Sequence, residues 1–463
     1  MTIWPPEPAA IRRPVYRFLA QALIQAIEAG EVRPGDRLPT HRDLAFQLGV
    51  SVQTISRAYE ELARLGVIAG EVGRGTFVRE GPTEARTPWQ QLRASETAID
   101  CSMLTPVTSD IQAQKMSEAL AALAQDLPVD ALFSFRPRAV LQRHRRTAVK
   151  WLQRCGVPTR AEHVLPTNGS TSALSVALMT AANPGDLVLA EDLSHHTLPP
   201  LARYLGLRLG GVRSDKRGVD PDSFASACRN QDVRVLFLVP NGLNPLAQVM
   251  EIERRHALCD IARRHGVMII ENDAGGPLQP NRPKPLAALA PDLAFYVTGF
   301  TKCLLPGLRY GYLVLPETMV SSGMNRHLVT NWMATPLMAE IASRWVEDGT
   351  AAELLGWQQG ALRHRNQIAA RTLEGLPYNS TSNGLHIWLP LGDGWNEDAF
   401  VAHARHQGVA VAPGNAFVIG EPGLRQNGIR VSLGAPEPSA LARGLSILAQ
   451  LYRDRPEPAM LAL

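Results

Sequence analysis

A surplus of one charge, paired cysteines and long apolar runs are all scarce in this chain, and each scarcity closes off a class of protein. Lysine plus arginine number 47 against 43 aspartate plus glutamate. That surplus is too small to mark a polyanion partner by itself. The five cysteines, at 101, 155, 228, 259 and 303, show no Cys-x-x-Cys spacing. This argues against a disulfide framework or a zinc site and suits a reducing compartment. No run of 18 apolar residues occurs, and Met1-Thr2-Ile3-Trp4-Pro5-Pro6-Glu7 lacks the basic-then-apolar order of an export leader. The expectation is therefore a cytoplasmic protein with no membrane span. What is present is the 45% hydrophobic and 19% charged mixture of a globular chain, 463 residues long and so too large for one ordinary core. Two or three domains are expected.

Residues 1–80 carry ten arginines, no lysine and nine acidic residues, so their charge balance does not announce nucleic acid. Their pattern is more telling. Over 15–29, Val15, Phe18, Leu19, Leu23, Ile24 and Ile27 keep helical spacing, and Gly30 closes the segment. After a turn-rich bridge, Thr40 can cap a short helix carrying Leu44, Ala45 and Leu48. Gly49-Val50-Ser51 turns the chain, and Ser51 can cap a second helix with Ile55, Ala58, Tyr59, Leu62 and Leu65 inside. Residues 67–78 read as a hairpin tipped by Gly73-Arg74-Gly75. Such glycines let backbone approach a groove while the arginine enters it.

These motifs, Leu38-Pro39-Thr40-x-Arg42-x-Leu44-Ala45, Leu48-Gly49-Val50-Ser51-x-x-Thr54 and Gly73-Arg74-Gly75-Thr76-Phe77-Val78, resemble the GntR-type winged helix-turn-helix. The resemblance implies a DNA-binding domain over 1–80, with Arg42, Ser51, Gln53, Thr54 and Arg57 facing double-stranded operator DNA and Arg74 in the wing. Phosphate contacts would set register, and Gln53 or Arg57 would read base edges. Val52 stands where the family often has a basic residue.

Residues 81–98 are polar and proline-bearing and read as a linker. From 99 to about 314, β-rich runs alternate with helical patterns, as in a parallel sheet wrapped by helices. Residues 187–190, 233–239 and 267–270 are clear strands. After the β-rich run 293–297 comes Thr298-Gly299-Phe300-Thr301-Lys302-Cys303-Leu304-Leu305-Pro306-Gly307-Leu308-Arg309-Tyr310-Gly311. A lysine on a rigid loop can form a Schiff base, and an arginine one turn on can hold a phosphate as a planar fork. The run resembles the class I/II aminotransferase signature Ser-x-Ser-Lys-x-x-x-Pro-Gly-Leu-Arg-x-Gly, with Gly299 and Thr301 in place of the two serines.

That resemblance implies the fold type I architecture of pyridoxal 5'-phosphate (PLP) enzymes over 99–463, a three-layer α/β domain on a mostly parallel sheet, with a small α+β subdomain from about 330. It makes Lys302 the Schiff-base lysine and Arg309 a phosphate ligand. Ser170 and Thr171, at a small-residue helix start, join them around the phosphate. His195 falls where the family stacks an aromatic on the cofactor ring. Asn244 matches the amide that holds the phenolic oxygen, though Leu246-Ala247 replace the usual Thr-Gly. Arg430 matches the arginine that grips an α-carboxylate. In Glu271-Asn272-Asp273-Ala274-Gly275 the family's ring-nitrogen aspartate maps onto Asn272, or onto Asp273 if the loop shifts by one, and its tyrosine onto Gly275. An amide does not support a pyridinium as a carboxylate does.

A GntR winged helix joined to such a domain resembles the MocR subfamily of bacterial regulators. The resemblance implies a head-to-tail homodimer acting as a repressor, whose large domain is a sensor rather than an enzyme. The effector would be a small amine or amino acid that forms an external aldimine with PLP. Within the subfamily the likeness is to regulators of ectoine use, which implies a diaminobutyrate derivative. The rival expectation is a genuine aminotransferase with a DNA-binding appendage.

Overall fold

The computed structural model describes residues 4–6, 8, 11, 14–28, 31–33, 35–64, 67–71, 75–78, 98–129, 131, 137–392, 395–419 and 427–454. Contacts divide the chain into two compact units, Met1–Arg93 and Ala94–Leu463. The division falls inside the stretch expected to be a linker, of which 81–97 lie outside the described residues.

The first unit runs α1 (Val15–Glu28), β1 (Arg37–Leu38), α2 (His41–Leu48), α3 (Val52–Arg64), β2 (Ile68–Glu71) and β3 (Gly75–Val78). Its helix ends are set by local chemistry. The Thr40 hydroxyl oxygen accepts from the Asp43 backbone N–H at 3.2 Å, and Gly49 takes the left-handed conformation that ends α2. Ser51 Oγ accepts from the Thr54 N–H at 3.1 Å and so opens α3. The strands form a three-stranded antiparallel sheet in the order β1-β3-β2. Leu19, Leu23, Leu44, Leu48, Ile55, Leu62 and Val78 meet in one core beneath it. Val15, Phe18, Ile24 and Ile27 are partly buried against the same core, and Leu65 lies outside the described residues.

In the second unit a short strand, β4 (Ile99–Asp100), precedes the central sheet. That sheet comprises β5 (Val164–Thr167), β6 (Leu187–Glu191), β7 (Arg208–Val212), β8 (Val233–Leu238), β9 (Met268–Asn272), β10 (Ala294–Gly299) and β11 (Gly311–Val314). The order is β5-β11-β10-β9-β8-β6-β7, and β11 alone runs antiparallel to its neighbours. Two apolar layers cover its faces. Leu189, Leu236, Ile269 and Tyr296 belong to one, and Val188, Phe237, Ile270 and Val297 to the other, the alternation a sheet buried on both sides requires. Functional loops of such a sheet gather at the carboxyl ends of the parallel strands.

A third core lies around β12 (His386–Pro390), β13 (Val409–Ala410), β14 (Ala412–Pro413) and β15 (Gly428–Ser432), with the helices Glu397–His406 and Pro438–Arg453. Its boundary differs from the expected 330. Ala334, Trp345, Leu354 and Leu362 pack into a large-sheet layer, and the third core starts at Ile368. It also recruits the start of the second unit, because β4 pairs in parallel with β13 and Cys101 is buried there. No helix among the described residues is long and apolar enough to cross a membrane.

Candidate functional site

At the end of β10 the backbone folds back on itself. The Phe300 N–H donates to Tyr310 O at 3.0 Å and the Leu304 N–H to Phe300 O at 2.8 Å, closing a tight loop around Lys302. Its Nζ donates to the carbonyl of Leu104. Burial, then the nearby positive charges of Arg430 and Arg309, hold the Lys302 pKa down to about 8. An amine so depressed is partly neutral near neutral pH, the state a nucleophile needs.

The turn Pro306–Leu308 leads into Arg309, whose backbone is left-handed, φ 45° and ψ 38°. Its guanidinium lies against the start of the helix Gly169–Ala181. A Cβ on Gly169 would sit 3.5 Å from Arg309 Nη2, and one on Gly299 would sit 3.0 Å from Ser170 Oγ. Gly169, Ser170, Gly299 and Arg309 therefore converge at a positive helix end, a cup for an anion. Thr171 is exposed on the first turn of that helix. Thr301 Oγ1 is buried without a hydrogen-bond partner among the described residues.

Across the site, His195 Nδ1 pairs with Thr197 Oγ1 at 2.7 Å, and its ring stacks on His196 at 4.9 Å. His196 meets Phe417 edge-on at 6.0 Å, and the Arg430 guanidinium lies 4.8 Å above the Phe417 ring. Burial first, then the charges of Arg430 and Lys302, pushes His196 down to about 4. His195 is driven well below its ordinary value by burial, His196, Lys302 and Arg430, so its ring is neutral. The loop carrying both histidines is tied to the sheet by buried Glu191, which accepts from the Val239 N–H at 2.9 Å and the Ser194 hydroxyl at 2.8 Å.

Arg430, on β15, donates through Nη1 to Asn244 Oδ1 at 3.1 Å and through Nη2 to the Ser102 carbonyl. Its fork is therefore fixed before any ligand arrives. Asn244 Nδ2 is buried with no partner among the described residues. Ala247 takes φ 53°, a left-handed backbone where the family's pattern has glycine.

The two candidates, Asn272 at the end of β9 and Asp273 just past it, have different surroundings. Asp273 accepts from Asn241 Nδ2 at 2.9 Å and from the Tyr296 hydroxyl at 2.5 Å, with Arg282 Nε 3.6 Å away. Both its oxygens are engaged inside the unit. Asn272, 5% exposed, carries a buried Oδ1 with no partner among the described residues. A Cβ on Gly275 would meet little, the nearest atom being Leu385 Cδ1 at 3.8 Å, so nothing at that position supplies a hydroxyl.

On the first unit, Arg42, Gln53 and Arg57 are exposed, whereas Ser51 and Thr54 bond to each other, Oγ to Oγ1, at 2.8 Å. The Arg57 guanidinium lies 5.0 Å from the Tyr16 ring centroid on α1, a pairing sequence pattern did not suggest. Arg74 lies outside the described residues. At the wing's base Arg37 runs along Gly75, where a Cβ would stand 2.8 Å from its Nε. Of the other partners that sequence reasoning missed, His196 adjoins His195, whereas Leu104, Ser102 and Phe417 come from stretches without motif character. The Leu104–Lys302 contact joins residues 198 positions apart.

The site fits a phosphorylated pyridine aldehyde. It offers a buried amine, a glycine-floored anion cup with an arginine, and two buried amide atoms still lacking partners. The comparisons agree. The sequence profile described as aminotransferase class I and II matches residues 109–448, and the chain belongs to that family. The profile of the bacterial regulatory proteins of the gntR family matches residues 15–78. The protein is thus an N-terminal GntR-type helix-turn-helix followed by a fold type I PLP domain, with PLP as its cofactor. An uncharacterized HTH-type transcriptional regulator of Bacillus subtilis, YdeF, is 28% identical over 97% of each chain. The HTH-type pyridoxine biosynthesis transcriptional regulator PdxR of Corynebacterium glutamicum is 24% identical over 80% of this chain and 82% of its own. Among solved structures, an archaeal alanine:glyoxylate aminotransferase superposes with a TM-score of 0.70 at 22% identity. It covers 77% of this chain and 90% of its own, and it shares the fold.

Proposed function

We propose that the chain is a MocR-type transcriptional regulator, a repressor that senses a small primary amine bearing a carboxylate. The DNA-binding part is placed at 1–80 and the sensor at 99–463. The observation that carries this reading is a site with the lysine, the anion cup and the carboxylate arginine in which position 272 is an asparagine, the Asp273 carboxylate is engaged inside the unit and position 275 is a glycine, in a chain that begins with a GntR-type domain.

When bound, PLP supplies an aldehyde carbon that can pass from one primary amine to another. Lys302 would bond to that carbon at rest, and Arg309, Ser170, Thr171, Gly299 and Thr301 would hold the phosphate end. His195 would lie on the ring, and the unpartnered Asn244 Nδ2 would donate to the phenolic oxygen. Arg430, already oriented by Asn244 and Ser102, receives the effector's carboxylate as a bidentate pair. Released from the cofactor by an incoming amine, Lys302 would be free to move its charge and its hydrogen bond. That change biases a homodimer, arranged head-to-tail, between DNA-binding states. Arg42, Gln53 and Arg57 meet the operator, together with Ser51, Thr54 and Arg74. The likeness to regulators of ectoine use makes diaminobutyrate derivatives the first effectors to test.

The second reading, a genuine aminotransferase, is favoured by the Lys302, Asn244 and Arg430 set itself. One experiment separates them. Full-length holoprotein is incubated with 2,4-diaminobutyrate, 4-aminobutyrate or taurine while visible absorbance, amine recovery and affinity for a duplex selected by the wild-type protein are followed. The regulator reading expects a stable spectral shift with one amine, recovery of that amine unchanged, and at least about a tenfold change in DNA affinity. The shift should be lost in Lys302→Ala. Steady formation of an oxo acid without any change in DNA affinity would establish the enzyme instead.

A further inference from the structure

We propose that Asn272 is the residue facing the cofactor's ring nitrogen and that it keeps this nitrogen unprotonated. The proposal rests on the reading above that PLP occupies the Lys302 site.

Strand parity makes the first half of the case. On β9, Ile269 packs into one layer and Ile270 into the other. Alternation then puts Glu271 and Asp273 on the first side and Asn272 on the second, the side that also holds Leu193, Leu246 and Phe417. Those residues lie in or beside the loops bearing His195 and Asn244, and Phe417 lies under Arg430. Asp273 cannot be borrowed for the role. Its carboxylate is held by Asn241, Tyr296 and Arg282 on the opposite side, and a Cβ on Gly276 would stand 1.9 Å from its Oδ1, so the chain closes tightly over it. Asn272 keeps its buried Oδ1 without a partner among the described residues, an arrangement that is costly unless a ligand satisfies the amide.

Local charge makes the second half. A half-turn of the amide exchanges its oxygen and nitrogen, so Asn272 offers an acceptor to a protonated ring nitrogen or a donor to a bare one. Arg309 at the cup and Arg430, 3.1 Å from Asn244, supply two cationic groups around the site, and the histidines stay neutral. A further positive charge on the ring would have an amide, not a carboxylate, beside it at position 272. The donor orientation is therefore selected, and the ring lone pair is held by an N–H.

The test is nitrogen NMR of the full-length protein loaded with PLP labelled with nitrogen-15 in the ring. Wild type should give the resonance of an unprotonated pyridine at pH 7–8, and Asn272→Asp should move it to the pyridinium position. Asp273→Asn, if it folds, should leave the wild-type resonance in place. A pyridinium signal in wild type, or a signal moved by Asp273→Asn and not by Asn272→Asp, overturns the proposal. The wild-type spectrum alone decides the protonation state if either variant fails to fold. A protein that takes up no labelled cofactor would instead sink the underlying assignment of the Lys302 site, which keeps the two failures distinct.

Discussion

Lys302 shows how a single side chain is prepared by its surroundings. No carboxylate pairs with it among the described residues; it has the Leu104 carbonyl and the positive charge of two arginines, and burial does the most to lower its pKa to about 8. Between about 8 and the ordinary lysine value the unfolded chain keeps a proton that the folded chain has released, so the apo protein gains stability from this group as pH rises through that window. Below about 8 the folded site must carry the charge against its environment. The rate at which the apo protein captures PLP is therefore expected to climb with pH and level off near 8. In Arg430→Gln, with one like charge removed, the plateau should move upward. Stopped-flow absorbance across pH 6–10 measures both, and a wild-type plateau only near the ordinary lysine value would contradict the assignment.

Between elements, the anion cup depends on backbone lying where side chains normally stand. Gly311 opens β11 opposite Gly299. A Cβ there would fall 2.6 Å from Thr298 O, 3.2 Å from Gly299 Cα and 3.4 Å from the carbonyl carbon of Gly169. All three are backbone atoms, which cannot rotate away. Gly311→Ala should cost about 1–3 kcal/mol as an overpacking change, and it should also weaken PLP binding, because the shifted strands carry the cup. Gly356 is the counterexample. It lies in the helix Thr350–Thr372 with no heavy atom within 4 Å of an added Cβ, so Gly356→Ala should stabilise the protein by about 0.5–1 kcal/mol through helix propensity. Urea melts of the apo forms and PLP titrations of both variants check the pair. Equal effects would mean that the glycines of the cup are not there for space.

At the scale of the whole molecule, the second unit leaves apolar surface uncovered close to its site. Val329, Trp332 and Leu337 are 86%, 44% and 38% exposed, on and between the helices Val320–Asn331 and Pro336–Glu347. That corner is stapled to the start of the phosphate-cup helix: the Thr335 N–H donates to Asn168 Oδ1 at 2.8 Å and Ser172 Oγ to Asn331 Oδ1 at 3.1 Å. Exposed apolar surface of this kind is costly in water if it is left uncovered. A second copy of the chain is the occupant consistent with the proposed homodimer. Sedimentation at micromolar concentration should give a dimer, and Val329→Asp should shift the equilibrium toward monomer. A monomeric wild type would remove the dimer from the proposal.

The linear order of residues already determined much of this. The helices of the first unit, the strands at 187–190 and 233–239, the Lys302 to Arg309 loop and the helix start at Ser170 rest on short-range periodicity, caps and turn residues, which act within a few positions of the chain. Other features were decided only when the chain closed. Whether Asn272 or Asp273 is left without an internal partner turns on a one-residue alternation along β9 and on Tyr296, Arg282 and Asn241, brought in from other parts of the fold. The third core starts at Ile368 rather than near 330, because the helices before it find apolar partners on the large sheet while β4 crosses over to pair with β13. The surroundings of Lys302 were likewise unreadable, since Leu104 and Arg430 reach it from sequence positions roughly 200 and 130 away, and a pKa responds to charge and burial in space rather than to neighbours in the chain.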